Sequence, residues 1–253
     1  MAVEHVNKVA IISGSTSGIG FATAKYLLEV GYYVYINGRD KQKCDEALSK
    51  LLTISTNVTC LVGDVSYIEN YSSWLNIIEA KHKTVNLLVS NVGSGKYPNG
   101  HIIDVDVYQK AMQTNFFSAV SFCQGFLPIL MKDSNIVLIG SIAGSAPLGA
   151  PTPYSCAKIA LTMYMKEQAL RFAEEGIRFN SISPGNVMFD GSTWDEKLQN
   201  NKNQTLEYIA KKVPLNRFVR PESIASMVLV IANTPEMTGQ NVVIDGGQIV
   251  GQF

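Results

Sequence analysis

The sequence is poor in charge, cysteine and histidine, and it has no long apolar run. Only 17% of its 253 residues are charged, and 21 basic residues balance 21 acidic ones, so the formal net charge is zero. Without a basic run the chain lacks the electrostatic footprint of a nucleic-acid-binding protein, and we expect no nucleic-acid partner. No apolar run approaches the length of a membrane span, and the first five residues lack the basic start and apolar stretch of a signal peptide. We therefore expect no membrane partner and a cytoplasmic location.

The few cysteines and histidines show no metal-binding arrangement. The cysteines are Cys44, Cys60, Cys123 and Cys156, and the histidines are His5, His82 and His101. Their spacing matches none of the patterns that hold zinc, and no carboxylate or cysteine cluster accompanies the histidines. In a chain without an export signal we expect the cysteines to be reduced. The sequence therefore predicts no metal site.

What the chain does have is a regular alternation of short apolar runs and longer segments of helical period. The apolar runs are residues 9–13, 32–36, 59–62, 87–90, 136–139, 178–182 and 242–244. Strands that alternate with helices pair in parallel through right-handed crossovers. We therefore predict an α/β fold, a Rossmann-like doubly wound parallel sheet of about seven strands in three αβα layers. With 46% hydrophobic residues, the 253 residues are enough for one domain over 1–253.

The first apolar run continues into a glycine-rich segment and then a predicted helix over residues 21–30. The segment reads Gly14-Ser-Thr-Ser-Gly18-Ile-Gly20. Glycines let the backbone turn tightly and approach a pyrophosphate, whose charge is received by free amides and by the positive end of the helix dipole. A glycine-rich turn alone is also compatible with an ordinary strand-to-helix connection. The segment is a candidate dinucleotide-binding loop.

Tyr154 and Lys158 are four residues apart, and Ser141 ends an apolar run thirteen residues before the tyrosine. A tyrosine is a poor acid or base at neutral pH unless a nearby cation lowers the pKa of its hydroxyl. Residues four apart on a helix share one face, so Lys158 can supply that cation. Tyr208 and Lys212 have the same spacing, but no strand ending in serine precedes them, and we interpret Tyr208 as an amphipathic helix residue. The trio of Ser141, Tyr154 and Lys158 indicates carbonyl chemistry.

Together these segments resemble the short-chain dehydrogenase/reductase family, from about residue 8 to residue 247. Further motifs follow in the family's order: Asp64-Val65, Ser90-Asn91-Val92-Gly93, Asn115, Pro184-Gly185 and the closing segment 238–247. The chain is similar in general to reductases of 3-oxoacyl groups on acyl carrier protein. The resemblance implies an oxidoreductase that reduces a carbonyl, or oxidises the alcohol, with a nicotinamide cofactor.

The resemblance also implies roles for four catalytic residues. Tyr154 would pass a proton to the carbonyl oxygen, and Ser141 would hydrogen-bond that oxygen. Lys158 would lower the pKa of the tyrosine and bind the nicotinamide ribose. Asn115 would anchor a water that links Lys158 to solvent.

A cofactor site is implied along the ends of the strands. Asp64 should contact the adenine, and Asn91 and Gly93 the adenosine or ribose. The expected cofactor-binding residues are Gly14, Ser15, Thr16, Ser17, Gly18, Ile19, Gly20, Arg39, Asp64, Val65, Asn91, Val92, Gly93, Tyr154, Lys158, Pro184, Gly185 and Val187.

The choice between NADP and NAD depends on the end of the second strand. An acidic residue there would bind the free ribose hydroxyls, but the family position is Gly38, with Arg39 next to it. A guanidinium pairs well with the 2′-phosphate of NADP, so we favour NADP, with hydroxyl contacts from Ser15 and Thr16. The alternative is that Arg39 is a solvated turn residue and Asp40 takes the ribose, which would favour NAD.

The segment after Pro184-Gly185 departs from the family. Phe189 stands where relatives often carry a threonine that bonds the nicotinamide carboxamide. Either Ser192 or Thr193 substitutes for it, or the following segment packs differently. We expect that segment, about 186–213, to form a substrate lid with a mobile helix. Its polar residues suit a sugar-like substrate, whereas the general resemblance favours a 3-oxoacyl thioester, and both alternatives stay open.

Long apolar faces on the helices predicted around residues 106–131 and 154–174 favour self-association. In the family these helices form a dimer, and the C-terminal strand pairs dimers, so we expect a homotetramer.

An NAD(P)-dependent sugar or polyol dehydrogenase is the alternative function. A catalytically silent dinucleotide-binding sensor is a second, which the intact Ser, Tyr, Lys and Asn set argues against, and an isomerase or lyase using the same tyrosine is a third.

Overall fold

The computed structural model of the protein describes residues 8–252, so His5 and the expected absence of a signal peptide lie outside the described residues. Seven parallel strands form one sheet in the order β3-β2-β1-β4-β5-β6-β7. They are β1 Val9–Ile12, β2 Tyr33–Gly38, β3 Val58–Val62, β4 Val85–Ser90, β5 Leu130–Ile139, β6 Arg178–Pro184 and β7 Asn241–Ile244. The predicted parallel sheet is confirmed.

Helices cover both faces of the sheet. They are α1 Gly18–Glu29, α2 Lys41–Leu52, α3 Glu69–Glu79, α4 Val105–Met112, α5 Ser118–Phe126, α6 Thr152–Arg171, α7 Thr193–Asn200, α8 Lys202–Lys212 and α9 Pro221–Ala232. One core packs α3, α5 and α6 against one face, and a second packs α1, α2 and α9 against the other. Burial of two apolar faces requires two helical layers, so the predicted three-layer αβα arrangement is confirmed.

The predicted helix over residues 106–131 is interrupted. A π-helical turn, Gln113–Phe117, separates α4 from α5, and a 3₁₀ turn, Leu127–Ile129, follows α5. Pro128 in that turn has no N–H to continue the helical ladder, so the helix ends before it. The strand β5 then begins at Leu130, six residues earlier than the apolar run suggests, with a register shift against β4 between Val85 and Leu87.

The carboxyl ends of the strands all meet at one edge of the sheet. Residues at or just past those ends are Ser13, Gly38, Asp64, Asn91, Ser141 and Pro184. This edge is where ligands bind in open α/β sheets, at the point where the strand order reverses. Here the reversal lies between β1 and β4, which are neighbours in the sheet.

Within residues 8–252, no helix is both long and apolar enough to cross a bilayer. The same residues contain no group of three or more histidine, cysteine or acidic side chains that could hold a metal ion. The four cysteines are free thiols. The cytoplasmic location stays a prediction.

Candidate active site

Ser141 and Tyr154 are brought together by the turn that follows β5. Ser141 caps a 3₁₀ turn, Ile142–Gly144, and its Oγ accepts a hydrogen bond from the N–H of Ala143 at 3.2 Å. Its hydroxyl lies near the phenol of Tyr154, in the first turn of α6, and interaction with this hydroxyl lowers the pKa of Tyr154. The strand end and the helix start therefore meet as the sequence predicts.

Lys158 is one turn further along α6 and only 3% exposed. Its Nζ donates to the carbonyl oxygen of Ile139 at 2.8 Å and lies 5.9 Å from the centroid of the Tyr154 ring. In the part of the chain that the structure describes, no carboxylate forms an ion pair with it. Burial without a counter-ion disfavours the charged form and lowers the pKa of Lys158 to about 8.

The protonation of Tyr154 differs from the expectation. We expected Lys158 to lower the pKa of the phenol, but in this structure burial raises it, and the interaction with the Ser141 hydroxyl offsets only part of the rise. The neighbouring phenol of Tyr97 raises the pKa of Tyr154 further. The physical reason is that removing the phenolate from water costs more free energy than its interactions with neighbouring groups provide.

Asn115 is fully buried inside the π-helical turn. Its Oδ1 accepts from the N–H of Ser94 at 2.9 Å, and its Nδ2 lies within 3.2 Å of the carbonyl oxygens of Ser94 and Ala111 and of the Tyr97 hydroxyl. Tyr97 is a site residue that sequence reasoning missed. It lies in an irregular loop after β4, where no periodicity or motif marks it.

The loop after β4 passes very close to the catalytic side chains. A Cβ on Gly93 would lie 2.8 Å from the Oδ1 of Asn115 and 3.3 Å from the Nζ of Lys158. A side chain at this position would displace one of them. The structure therefore brings Gly93, Asn115 and Lys158 together, as the motif order predicts.

The glycine-rich loop has the shape that a pyrophosphate needs. Gly14 and Gly18 have φ angles of 58° and 55°, in the left-handed region. A Cβ on Gly20 would lie 2.6 Å from the carbonyl oxygen of Gly14, so the loop cannot carry a side chain there. The helix α1 begins at Gly18 with no acidic residue in its first turn, so the charge of its amino end favours an anion, while the Phe189 ring lies against Gly18 itself. Ser17 is exposed and Ile19 is half-buried at the same end.

Two side chains among the predicted cofactor-binding residues form hydrogen bonds within the protein. Ser15 is fully buried, and its hydroxyl donates to the carbonyl oxygen of Ile12 and accepts from the N–H of Asn37. The expected hydroxyl contact from Ser15 is therefore wrong, because the group is turned into the sheet. The amide of Asn91 donates to the carbonyl oxygen of Gly14 at 2.9 Å, so this side chain braces the loop.

Asn37 completes the support of the glycine-rich loop, and sequence reasoning missed it as well. Its Nδ2 donates to the carbonyl oxygens of Leu61 and Gly63, at 2.9 and 3.0 Å, and its Oδ1 accepts from the N–H of Gly14. The amide thus links β2, the end of β3 and the loop. An asparagine within an otherwise apolar strand was the available signal.

Thr16 of the glycine-rich loop and Arg39 both lie beside Gly38, the last residue of β2. A Cβ on Gly38 would lie 2.6 Å from the Cγ2 of Thr16, so the threonine sits directly against this glycine. Arg39 is exposed and forms no ion pair with any residue that the structure describes. Asp40 caps α2, where its carboxylate accepts from the N–H of Lys43 at 3.1 Å. Asp40 is the alternative ligand for the ribose, and one of its carboxylate oxygens is therefore already hydrogen-bonded within the protein.

Asp64 and Val65 follow β3 in different environments. The Asp64 carboxylate accepts from the N–H of Ser66 at 2.8 Å and is half-buried at the sheet edge. Val65 is buried in the core, and its carbonyl oxygen accepts from the Tyr71 hydroxyl at 2.7 Å. The side chain of Val65 therefore faces away from the predicted cofactor site.

The remaining predicted contacts surround the same edge. Val92 is half-buried against the core, and its Cγ2 would lie 3.0 Å from a Cβ on Gly14. Pro184 ends β6 and is buried, and Gly185 packs closely on Asp245. Val187 forms an isolated parallel bridge with Val219.

The segment that carries Phe189 packs on the glycine-rich loop. A Cβ on Gly18 would lie 2.6 Å from the Phe189 ring, so the ring covers this glycine. The Ser192 Oγ accepts from the N–H groups of Asp195 and Phe189 and caps α7. Of the two expectations for this segment, the geometry favours different packing over substitution by Ser192.

The predicted lid contains two helices, α7 and α8, rather than one. Trp194 of α7 stacks on Tyr208 of α8, with ring centroids 5.3 Å apart. Tyr208 is thus a helix residue, as the sequence indicates. Glu196 of α7 forms an ion pair with Lys96 in the loop after β4. The lid therefore contacts the loop that carries Tyr97.

Comparisons with known proteins identify relatives of this chain in sequence and in fold. A family model described as "Enoyl-(Acyl carrier protein) reductase" matches residues 14–248. The chain is 31% identical over 249 residues to "Dehydrogenase/reductase SDR family member 4" of Oryctolagus cuniculus, covering 95% of this chain and 93% of the relative.

Two solved structures illustrate the structural likeness. A Pseudomonas aeruginosa RhlG/NADP active-site complex superposes with a TM-score of 0.87 at 28% identity, covering 96% of this chain and 97% of that one. L-sorbose reductase from Gluconobacter frateurii, complexed with NADPH and L-sorbose, has a TM-score of 0.89 at 24% identity and covers 98% of this chain and 99% of that one. The second likeness concerns the fold alone.

We predict that Lys158→Met stabilises the folded protein at neutral pH. The pKa of Lys158 falls from 10.5 to about 8 on folding, so the unfolded chain binds more protons between these values. The resulting destabilisation is fully present below about pH 8 and is lost as the pH rises to 10.5. Removing the charge should raise the free energy of unfolding by about 2–3 kcal/mol at pH 7 and by less than about 1 kcal/mol at pH 10.

Urea denaturation followed by circular dichroism at both pH values measures this difference. Lys166→Met, which removes an exposed lysine from the same helix, should change the free energy of unfolding by less than about 0.5 kcal/mol. Equal effects of Lys158→Met at pH 7 and pH 10 would contradict the role of the buried charge.

Proposed function

Because the chain belongs to the short-chain dehydrogenase/reductase family, we propose that it is an NADP-dependent oxidoreductase that reduces a carbonyl or oxidises the corresponding alcohol. The observation that carries this proposal is the close approach of the Ser141 hydroxyl and the Tyr154 phenol beside the buried ammonium of Lys158. This group lies at the same sheet edge as the glycine-rich loop. A proton donor and a nucleotide loop at one edge are what hydride transfer to a carbonyl requires.

In the proposed mechanism, the bound nicotinamide supplies the hydride for reduction or accepts it for oxidation. Tyr154 gives its phenolic proton to the carbonyl oxygen, and its raised pKa keeps that proton in place at neutral pH. The hydroxyl of Ser141 hydrogen-bonds the same oxygen as negative charge develops on it. In the reverse direction Tyr154 takes the proton back.

Lys158 stabilises the tyrosinate that proton transfer leaves behind. Its ammonium lies over the phenol ring and, with a pKa of about 8, it can itself give up a proton near neutral pH. Asn115 holds the loop after β4 against this group and, in the proposed role, anchors the water through which protons arrive. Lys158 also has hydrogen-bonding capacity left for the nicotinamide ribose, since its protein acceptor is one carbonyl.

NADP is the proposed cofactor. The loop of Gly14, Gly18 and Gly20 would hold the pyrophosphate through backbone amides and the amino end of α1. Arg39 and Thr16, beside the end of β2, would bind the 2′-phosphate. The carboxylate of Asp40, which would otherwise bind the ribose, caps α2. The RhlG structure, at 28% identity, is itself an NADP complex.

The proposal includes finer statements about substrate and architecture. A 3-oxoacyl thioester is the first candidate substrate, and a sugar or polyol is the alternative. We also keep the single domain, with a lid at about 186–213, as part of the proposal. A sensor without turnover is less consistent with the site, because Ser141, Tyr154, Lys158 and Asn115 are all present and close together.

A homotetramer, as a dimer of dimers, is the proposed assembly. Ile159, Met163 and Leu170 are exposed along α6, and Phe117 is exposed on the adjoining π-helical turn. Apolar rows on two neighbouring helices suit an isologous helix interface. The strand β7 lies at one edge of the sheet, where Val243 is exposed and a second dimer would dock.

The first test of the function is loss of turnover in Tyr154→Phe. Oxidation of NADPH at 340 nm over acetoacetyl thioesters, ketosugars and simple ketones should fall by about 10²- to 10⁴-fold, because the proton donor is gone. Tyr208→Phe, which has the same spacing to a lysine, should retain activity within about threefold. A Tyr154→Phe enzyme as fast as wild type would refute the mechanism, and wild type that binds NADPH without any turnover would favour the sensor.

The second test concerns the cofactor. Arg39→Gln should raise the KM for NADPH by about tenfold and leave the KM for NADH nearly unchanged, because only NADPH carries the 2′-phosphate. Lys50→Gln, which removes an exposed charge from α2, controls for the general electrostatic field. A preference of wild type for NADH, with no effect of Arg39→Gln, would support the ribose contact of Asp40 instead.

The third test concerns assembly. Light scattering behind size-exclusion chromatography should give a mass near four times 27.6 kDa at micromolar protein. Met163→Asp should lower this mass, because it places a charge in the proposed α6 interface, while Leu52→Asp on the exposed side of α2 should not. A monomeric wild type would rule out the tetramer.

A further inference from the structure

The loop after β4, residues 93–97, forms one wall of the catalytic cleft. A Cβ on Gly95 would lie 3.9 Å from the Cζ of Tyr154, so the loop passes directly by the catalytic phenol. Tyr97 follows after a tight turn in which its N–H donates to the carbonyl oxygen of Gly95 at 3.1 Å. The Tyr97 and Tyr154 phenols are close enough to interact electrostatically. A substrate carbonyl bound at Tyr154 therefore has Tyr97 on its flank.

The Tyr97 hydroxyl is oriented by Asn115. The N–H of Ser94 requires an acceptor, which places the Asn115 Oδ1 toward Ser94 and the Nδ2 toward the Ser94 and Ala111 carbonyl oxygens. The same Nδ2 lies 3.2 Å from the Tyr97 oxygen, which is therefore the acceptor. Among the described residues no protein atom accepts the proton of the Tyr97 hydroxyl, so this O–H is available as a donor in the cleft.

The wall is held from its outer side as well, and the one charged side chain within residues 93–97, Lys96, is paired. Lys96 forms an ion pair with Glu196 of the lid, and the N–H of Lys96 donates to the Ser94 Oγ at 3.2 Å. The Lys96 cation is thus neutralised by a carboxylate. A neutral oxygen of the substrate is therefore less costly to bury against this wall than a carboxylate of the substrate.

We propose that Tyr97 is a specificity-determining residue that donates a hydrogen bond to a second, uncharged oxygen of the substrate, one or two carbons from the reacting carbonyl. This inference rests on the proposed function and adds the substrate class to it. Dicarbonyl and hydroxycarbonyl compounds meet the requirement, and simple ketones do not. A site that hydrogen-bonds a substrate oxygen discriminates against the analogue that lacks it.

The test compares Tyr97→Phe with wild type on matched ketone pairs. The pairs are 2,3-butanedione with 2-butanone, and 2,4-pentanedione with 2-pentanone, each with NADPH. We expect kcat/KM for at least one diketone to fall by about 10- to 100-fold, mainly through a higher KM, and kcat/KM for both monoketones to change by less than about threefold. The intrinsic reactivity of each ketone cancels, because each is compared with itself.

Two controls separate specificity from a structural effect. Tyr26→Phe, at a half-buried tyrosine of α1, should behave as wild type on all four ketones. NADPH affinity, measured by fluorescence, and the melting temperature should be unchanged in Tyr97→Phe, because Asn115 keeps its backbone partners.

The outcomes distinguish this inference from the proposed function. An active wild type whose Tyr97→Phe variant shows no change overturns the inference alone. An equal fall in kcat for diketones and monoketones also overturns it, since Tyr97 would then act on proton transfer through Asn115. A wild type that reduces neither diketones nor monoketones, nor any member of the wider carbonyl panel, overturns the proposed function and this inference together.

Discussion

Lys158 holds an ammonium group in the interior, against a single carbonyl oxygen at the end of β5 and without a carboxylate among the described residues. The surrounding structure is shaped by the need to approach this group closely. Gly93 leaves room for the Nζ of Lys158, and a Cβ on Gly144 would lie 2.8 Å from the Lys158 backbone. Each of the two loops that approach Lys158 therefore has a glycine at the point of contact. In the proposed mechanism, proton transfer near neutral pH uses the lowered pKa that this burial produces, and the folded state is less stable as a consequence of the burial.

Buried polar side chains at the sheet edge serve mainly as scaffolding for the cofactor loop. Ser15, Asn37 and Asn91 all direct their hydrogen bonds to the backbone around the glycine-rich loop. Because Ser15 and Asn37 are buried and hydrogen-bonded, and the amide of the half-buried Asn91 braces the loop as well, the loop is preorganised rather than shaped by the ligand. In the proposed cofactor site, contacts with the nucleotide are then left to backbone amides, to the half-buried Thr16 and to the exposed Arg39.

The sheet, its parallel pairing and the meeting of Ser141 with Tyr154 could be predicted because each depends on a local pattern. An apolar run followed by a glycine or serine marks a strand end, and parallel strands bring their ends to one edge. One prediction failed where a side chain could turn either way at a correct position. Ser15 lies at the predicted edge, yet its hydroxyl points into the sheet. Helix interruption at the π-helical turn was also missed, because Gln113–Phe117 contains no proline or glycine that would mark a break.

By itself the sequence determined the fold class, the glycine-rich loop and the Tyr154 and Lys158 pair, since spacing along one strand or helix sets which residues share a face or an end. Only the tertiary structure decided that Tyr97 bonds Asn115, that Asn37 braces the loop and that Phe189 covers Gly18. These contacts join segments that meet through packing of separate loops. Their sequence separations follow no period, so the pattern of the chain carries no signal for them.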